Sequence, residues 1–463
     1  MVSIVWLEIY SILLCFCLLS RNAFACDSFG TKFVTLNDHS SFGSLNAELV
    51  ENCYAMRAKQ SFRLRSQFSH IDRTLRLTEP VIVTIKSVLS RLGFRVERVL
   101  GQGNYGRVFA ATSTLFGGES VAIKVATPQD GWFYDMRARR ECTHMDATQS
   151  SCSRPLDQLL PFEVASSLMT MNSRGVVNSR AFGLISSTRG QLLFYVIVMR
   201  NMKNSSTLLS FVRKCFRRLS RSARLNYIRQ VQVKLSEINM ALVNQLGIFH
   251  NDLKSDNLLV RLKSSSSSSS TSCGSNGGGE DELELYLIDF GNAIMNIDKR
   301  DATGSRLLSI DQYRTKPYYV IYKAPELKTG ATSIRLSQML AWYMGVIAFE
   351  MCSSGMDRVN LSPSNEIIYQ QPHLNSFDQV IYKSFYGRSE QTNLCFESKD
   401  LVDYLRRALT YDPNRRARSS ELVRMPFILN GSKSKSTASS RKRPRKNKTD
   451  RTTGSEAASN NGN

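Results

Sequence analysis

The run His250-Asn251-Asp252-Leu253-Lys254-Ser255-Asp256-Asn257 is followed, across a serine-rich interruption, by Leu287-Ile288-Asp289-Phe290-Gly291. These two stretches hold an acid able to receive a hydroxyl proton (Asp252) and a lysine two residues on (Lys254). They also hold an amide and a second acid, Asn257 and Asp289, that can both offer oxygen to Mg²⁺. Such a set suits phosphoryl transfer from ATP, which needs a group to orient the nucleophile, a cation against the charge of the moving phosphoryl, and hard oxygen ligands for a divalent ion.

A second constellation lies upstream. Leu100-Gly101-x-Gly103-x-x-Gly106-x-Val108 reads as a glycine turn between strands, where the lack of a Cβ lets backbone amides approach phosphate oxygens. Alone that is weak evidence, but Val121-Ala122-Ile123-Lys124 follows, with a cation able to hold the α- and β-phosphates if an acid fixes it. Glu163 and Glu141 both offer that acid.

Taken in order, these blocks resemble the eukaryotic-type protein kinase superfamily, over about residues 94 to 429. The resemblance implies an α+β, two-lobed protein kinase-like fold with a small β-rich N-lobe and a larger α-helical C-lobe. It implies ATP and Mg²⁺ as cofactors, Asp252 as base, Lys254 and Lys124 as phosphate-facing cations, and Asn257 and Asp289 as metal ligands. Glu163, on the helix after an insert, is then the partner expected for Lys124, with Glu141 as runner-up. Adenine would lie between Ala122 and Val108 above and Leu259 below, its edge on the backbone of Arg200 to Met202, with Met199 at the back of the pocket and Leu100, Gly101, Gly103 and Gly106 over the phosphates. Glu326, in Ala324-Pro325-Glu326, and Arg416 match the family's buried acid–arginine pair. Lysine two residues after the base is the serine/threonine-type signature, so the implied substrates are protein hydroxyls.

Two positions depart from the pattern. Asn251 replaces an arginine that in many members pairs with a phosphorylated activation loop, which puts control through Thr303, Ser305, Ser309 or Thr315 in doubt. Leu340 stands where an acid usually braces the catalytic loop. Both favour a second reading, a pseudokinase-type binding scaffold; a small-molecule or lipid kinase on the same scaffold is a third. The divergent loop, inserts and basic tail are similar to those of kinases carried by large DNA viruses such as herpesviruses.

The elements that must position these residues follow from periodicity. Strand, glycine turn and strand are expected over 94–111, a β-branched strand at Val121–Val125 and another at Leu192–Arg200. Helices are expected at Pro161–Asn172, Leu208–Phe216, Leu225–Leu246 and Leu336–Cys352, and Asp412-Pro413-Asn414-Arg415-Arg416 opens the last turn before Ser419–Arg424. The expected kinase domain is 94–430, with inserts at about 127–160 and 263–282. Residues 26–93 form an N-terminal extension without a recognisable motif. The serine- and glycine-rich part of the second insert should loop out between two strands without moving them.

The chain has 463 residues and a formal charge of +22, with nine Lys/Arg against two Asp/Glu after residue 430. In this basic tail of expected disorder, residues 431–463, the run Arg441-Lys442-Arg443-Pro444-Arg445-Lys446 fits a nuclear import receptor or a polyanion. No specific nucleic-acid motif accompanies it. The tail favours nucleus or cytoplasm. Residues 1–25, apolar from Ile9 to Ser20 and ending Ala23-Phe24-Ala25, fit a signal peptide or apolar anchor, which makes the secretory pathway an alternative and is the one route to a membrane. The ten cysteines are scattered without a C-x-x-C pair and read as mostly buried or free thiols.

Overall fold

The computed structural model describes residues 24–26, 32–35, 79–102, 106–127, 132–135, 138–143, 159–186, 192–263, 282–310, 324–328, 332–353 and 394–430. Gly103, Thr315, the apolar run 9–20, the serine tract 264–279 and the basic run 441–448 lie outside them. Antiparallel sheets dominate the first part of the chain and helices the second.

The main sheet has seven strands. They are β1 (Phe24–Cys26), β2 (Lys32–Thr35), β3 (Phe94–Gln102), β4 (Gly106–Ser113), β5 (Glu119–Ala126), β9 (Ser179–Ser186) and β10 (Leu192–Arg200), in the order β1-β2-β9-β10-β5-β4-β3. Aliphatic and aromatic runs such as Val121–Val125 and Phe194–Val198 favour this pleated, buried setting. Helix α1 (Glu79–Arg91) covers one face of the sheet. Its Ile82, Ile85, Val88 and Leu89 recur at helical spacing and pack with Phe109, Ile123, Phe194 and Val196, while Val83 on the other side is 63% exposed. Each such side chain buried contributes about 1.5–3 kcal/mol. The sheet and its cover therefore draw on residues ahead of Phe94.

The first insert is not a plain connection. Strands β6 (Trp132–Asp135), β7 (Arg140–Thr143) and β8 (Leu160–Pro161) form a sheet of order β7-β6-β8, and β8 runs directly into helix α2 (Phe162–Thr170). Pro161 precedes the helix with extended backbone, as proline does at a helix start.

Beyond β10 come β11 (Ser206–Thr207), helix α3 (Leu208–Lys214), capped by the Thr207 hydroxyl, and helix α4 (Arg221–Asn239), capped by the Ser220 hydroxyl. The expected helix Leu225–Leu246 is α-helical only to Asn239; Met240–Leu246 winds as a π-helix and stops at Gly247, whose φ of 67° suits glycine. Strands β12 (Leu258–Lys263) and β13 (Glu282–Leu287) pair from Leu258↔Leu287 to Lys263↔Glu282, so the serine tract joins the open end of an aligned hairpin. Strands β14 (Leu307–Ser309) and β15 (Ser333–Arg335) pair ahead of α5 (Leu336–Cys352), which is buried nearly all round. Helices α6 (Leu394–Glu397), α7 (Lys399–Ala408) and α8 (Ser419–Leu422) close the described chain around it.

The cysteines correct the expectation of free thiols. Cys352 and Cys395 are disulfide-bonded across 43 residues, both buried, and Cys142 and Cys215 are also in disulfides. The C-terminal end of α5 and the start of α6 bring the Cα atoms of Cys352 and Cys395 to 5.0 Å, a proximity created by tertiary packing that sequence spacing does not encode. Among the described residues no helix is long and apolar enough to cross a membrane.

Candidate functional site

Lys124 sits on the interior strand β5, opposite Val108 on β4 and Ile197 on β10, so neighbours on both sides hold its backbone. Its Nζ lies 2.5 Å from Glu163 Oε1, in the first turn of α2, and 2.9 Å from Asp289 Oδ1. The second Glu163 oxygen accepts a hydrogen bond from the Tyr195 hydroxyl at 2.6 Å. Glu141 lies elsewhere: its Oε1 accepts from the Met295 amide at 3.4 Å. Lys124 therefore meets Glu163.

Charges in this group depend on one another. Burial acts against the ammonium of Lys124, but Asp289 and Glu163 outweigh it and raise its pKa. Burial likewise acts against ionisation of Asp289, whose side chain is still 45% exposed, and Lys124 overrides it, holding the carboxyl at about 2. For Glu163 burial prevails over the nearby ammonium and the pKa is raised.

The second group is built on the turn before β12. Asp252 Oδ2 accepts from Lys254 Nζ at 2.7 Å and from Asn257 Nδ2 at 2.9 Å, and the same Asn257 nitrogen reaches the Asp252 carbonyl at 2.9 Å. This turns the Asn257 nitrogen toward Asp252 and leaves its oxygen as the atom available to a cation. Burial raises the pKa of Asp252, with Lys254 opposing. The Ile288 amide donates to the Asn257 carbonyl at 3.0 Å, so Asp289 is the next residue after the one bonded to Asn257. His250 Nε2 meets the Ile288 carbonyl at 2.9 Å and its ring lies edge-on to Phe290, with centroids 4.8 Å apart. Burial lowers the His250 pKa, which favours the neutral ring.

At the position where the resemblance leads one to expect an acid, Leu340 is buried among apolar neighbours. Bracing comes from the backbone instead. Phe249 and Ile294 exchange two hydrogen bonds of 2.8 Å as an isolated bridge, tying the turn to the segment after Phe290. Asn251 has φ of 60° and is 1% exposed, and neither polar atom of its side chain has a partner among the described residues.

The expected nucleotide contacts fall as follows. Ala122 and Met199 are register partners on β5 and β10, and Met202 is buried just past the end of β10. Gly101 pairs with Val108, Leu100 is 39% exposed, and Leu259 pairs with Tyr286. Gly106 has a packing reason of its own, because a Cβ there would stand 2.7 Å from the Val125 carbonyl oxygen.

Glu326 and Arg416 form a buried fork with both N–O distances 2.8 Å, and the guanidinium stacks over Trp342 at 5.0 Å. Sequence reasoning missed Tyr195, whose signal was a hydroxyl within the otherwise apolar run Leu192–Met199. It also missed Ser166, whose hydroxyl donates to the Phe290 carbonyl from the middle of α2.

Among the described residues no group of three or more His, Cys, Asp or Glu is placed to hold a metal. Asn257 and Asp289 bring only one carboxylate between them; Mg²⁺ suits such a sparse donor set, since it retains waters and takes phosphate oxygens.

No protein-family model matches the chain. A probable cyclin-dependent serine/threonine-protein kinase of Dictyostelium discoideum is 23% identical over 218 residues, 44% of this chain. The match spans 29% of that relative's length. This distant similarity supports a kinase-like function in general.

Proposed function

We propose that the chain is an ATP- and Mg²⁺-dependent serine/threonine protein kinase, its sheet and helical parts forming two lobes around the nucleotide. The observation that carries the reading is the Lys124–Glu163 ion pair at 2.5 Å with Asp289 on the same ammonium at 2.9 Å. Three elements distant in sequence thus place a cation between two acids, one buried and one facing solvent.

In this reading Lys124, positioned by Glu163, binds the α- and β-phosphates. Asp252 accepts a hydrogen bond and then the proton from the substrate hydroxyl as the hydroxyl oxygen attacks the γ-phosphorus, and the bond from that phosphorus to the β–γ bridging oxygen breaks to release ADP. Lys254, already at 2.7 Å from Asp252, offsets charge on the transferred group and keeps the base oriented. Asn257 and Asp289 would hold Mg²⁺ through their side-chain oxygens, and the ion would neutralise phosphate charge. The raised pKa of Asp252 suits a proton acceptor better than an ordinary surface carboxylate would. The Glu326–Arg416 pair supports a fixed platform for a peptide substrate.

Purified protein with γ-labelled ATP and a generic basic protein tests the reading. Transfer by the wild type, lost in Asp289→Ala, is expected. A binding scaffold is the second reading, favoured by Asn251 and Leu340; it expects nucleotide binding without transfer.

A further inference from the structure

The insert between Lys124 and Glu163 makes contacts that the phosphoryl-transfer reading does not use. Tyr134 and Glu141 are register partners on β6 and β7, so their side chains project from the same side of the hairpin. Both reach the segment just after Asp289-Phe290-Gly291. The buried Tyr134 hydroxyl donates to Asn296 Oδ1 at 3.1 Å, and Glu141 Oε1 accepts from the Met295 amide at 3.4 Å. The Asn296 amide nitrogen donates to the Arg139 carbonyl, so both ends of that amide are engaged by one hairpin. Asn296 and Arg139 have φ of 59° and 50°, in the left-handed region where Asn is among the better-tolerated residues.

The hairpin is also tied to α2. The Tyr134 ring stands edge-on to Phe162 with centroids 6.5 Å apart, and Tyr134 pairs through the backbone with Leu160, two residues before the helix begins. Helix α2 in turn holds Phe290 through Ser166 and carries Glu163.

We propose that the Trp132–Thr143 hairpin is a built-in positioning element that fixes the segment after Gly291 against α2, keeping the Lys124–Glu163 pair closed without any phosphate on that segment. The inference rests on the phosphoryl-transfer reading and names the regulation of that site. Farther along the same segment, Asp301 fills the place of an added anion. Its Oδ1 accepts from the Thr303 amide and hydroxyl and the Ser305 amide, and its Oδ2 meets Arg335 at 2.7 Å. A phosphate on Thr303 would bring like charge beside this carboxylate. Asn251, uncharged, offers no cation to receive one.

Hydrogen exchange and transfer kinetics on the full chain test this together. Glu141→Ala should speed exchange of the Met295 amide about tenfold and lower kcat by a similar factor. Exchange in 106–126 should not change. Glu141→Gln, which retains an acceptor oxygen, should restore both quantities, and Tyr134→Phe should reproduce the loss. Phosphatase treatment of the wild type should leave kcat within about twofold. Unchanged Met295 protection in Glu141→Ala, or faster exchange with kcat intact, overturns the proposal, as does a wild type silenced by phosphatase. A wild type that never transfers phosphate defeats the kinase reading instead, and Met295 exchange then still decides whether the hairpin holds the segment.

Discussion

Asn257 donates from a single amide nitrogen to two oxygens of Asp252, the carbonyl and one carboxylate oxygen, each at 2.9 Å. The residue expected to bind metal is therefore also the one that orients the expected base. Asn257→Ala should consequently lose more than metal affinity. Its transfer should stay low, by about tenfold or more, even at saturating Mg²⁺, because Asp252 has lost an orienting bond. A magnesium titration of kcat checks this.

Glu163 and Tyr195 should act as a pair on Lys124. Glu163→Ala is expected to lower transfer on the order of a hundredfold, and Tyr195→Phe by less, with the fold retained in both. Circular dichroism with ATP kinetics would separate the two effects. Both changes should raise KM for ATP, since Lys124 is the group they hold.

Asp252 and Glu163 both take up a proton more readily in the fold than an ordinary carboxylate, chiefly through burial. Transfer should therefore fall as pH drops through those raised values, giving an acid limb above the usual carboxylate range. Asp289, held at about 2, stays ionised throughout that limb. For stability the signs differ. The contribution of Asp252 is full below its unfolded pKa and is lost as pH rises through the folded one, whereas that of Asp289 is present above its unfolded pKa and lost as pH falls toward about 2. Asp252→Asn should thus abolish transfer by about 10²–10⁴-fold while unfolding no more easily than wild type at pH 7. Kinetics and urea denaturation of the same sample check both halves.

The Glu326–Arg416 fork is buried at both ends. Arg416→Ala should cost about 3–5 kcal/mol by removing the guanidinium from the buried Glu326 carboxylate, measured by equilibrium denaturation.

Reducing the Cys352–Cys395 bond should also destabilise the protein. Closing a loop across 43 residues is worth about 4 kcal/mol in the chain-entropy picture. Melting with and without reductant checks this, beside non-reducing peptide mapping for the linkage itself.

Much of the site was legible because its residues sit at fixed offsets within short strands and turns. Lys124 follows a β-branched run that could only be a strand, and Asp252 and Asn257 share one turn before another. The partner of Lys124 was harder. Glu141 is nearer in sequence, and only the return of β8 beside β6 delivers Glu163 to the ammonium. The insert sheet was hidden because its strands are four, four and two residues long, too short for a period to emerge; Trp132-Phe133-Tyr134 was its one local cue. Helix α1 did carry a signal in Ile82, Ile85 and Leu89, spaced for one face, but nothing in the sequence named the sheet it covers. The cysteine pairing depends on where two helix ends meet and has no local sequence signal.

The most direct test is γ-phosphoryl transfer from labelled ATP to a hydroxyl-bearing protein with Mg²⁺ supplied or chelated, using wild type, Asn257→Ala and Asp289→Ala. Metal-dependent phosphoserine or phosphothreonine is expected from the wild type, with at most about a tenth of that rate from Asn257→Ala and about a hundredth from Asp289→Ala. Equal rates from the wild type and Asp289→Ala, or no transfer by the wild type, would contradict it.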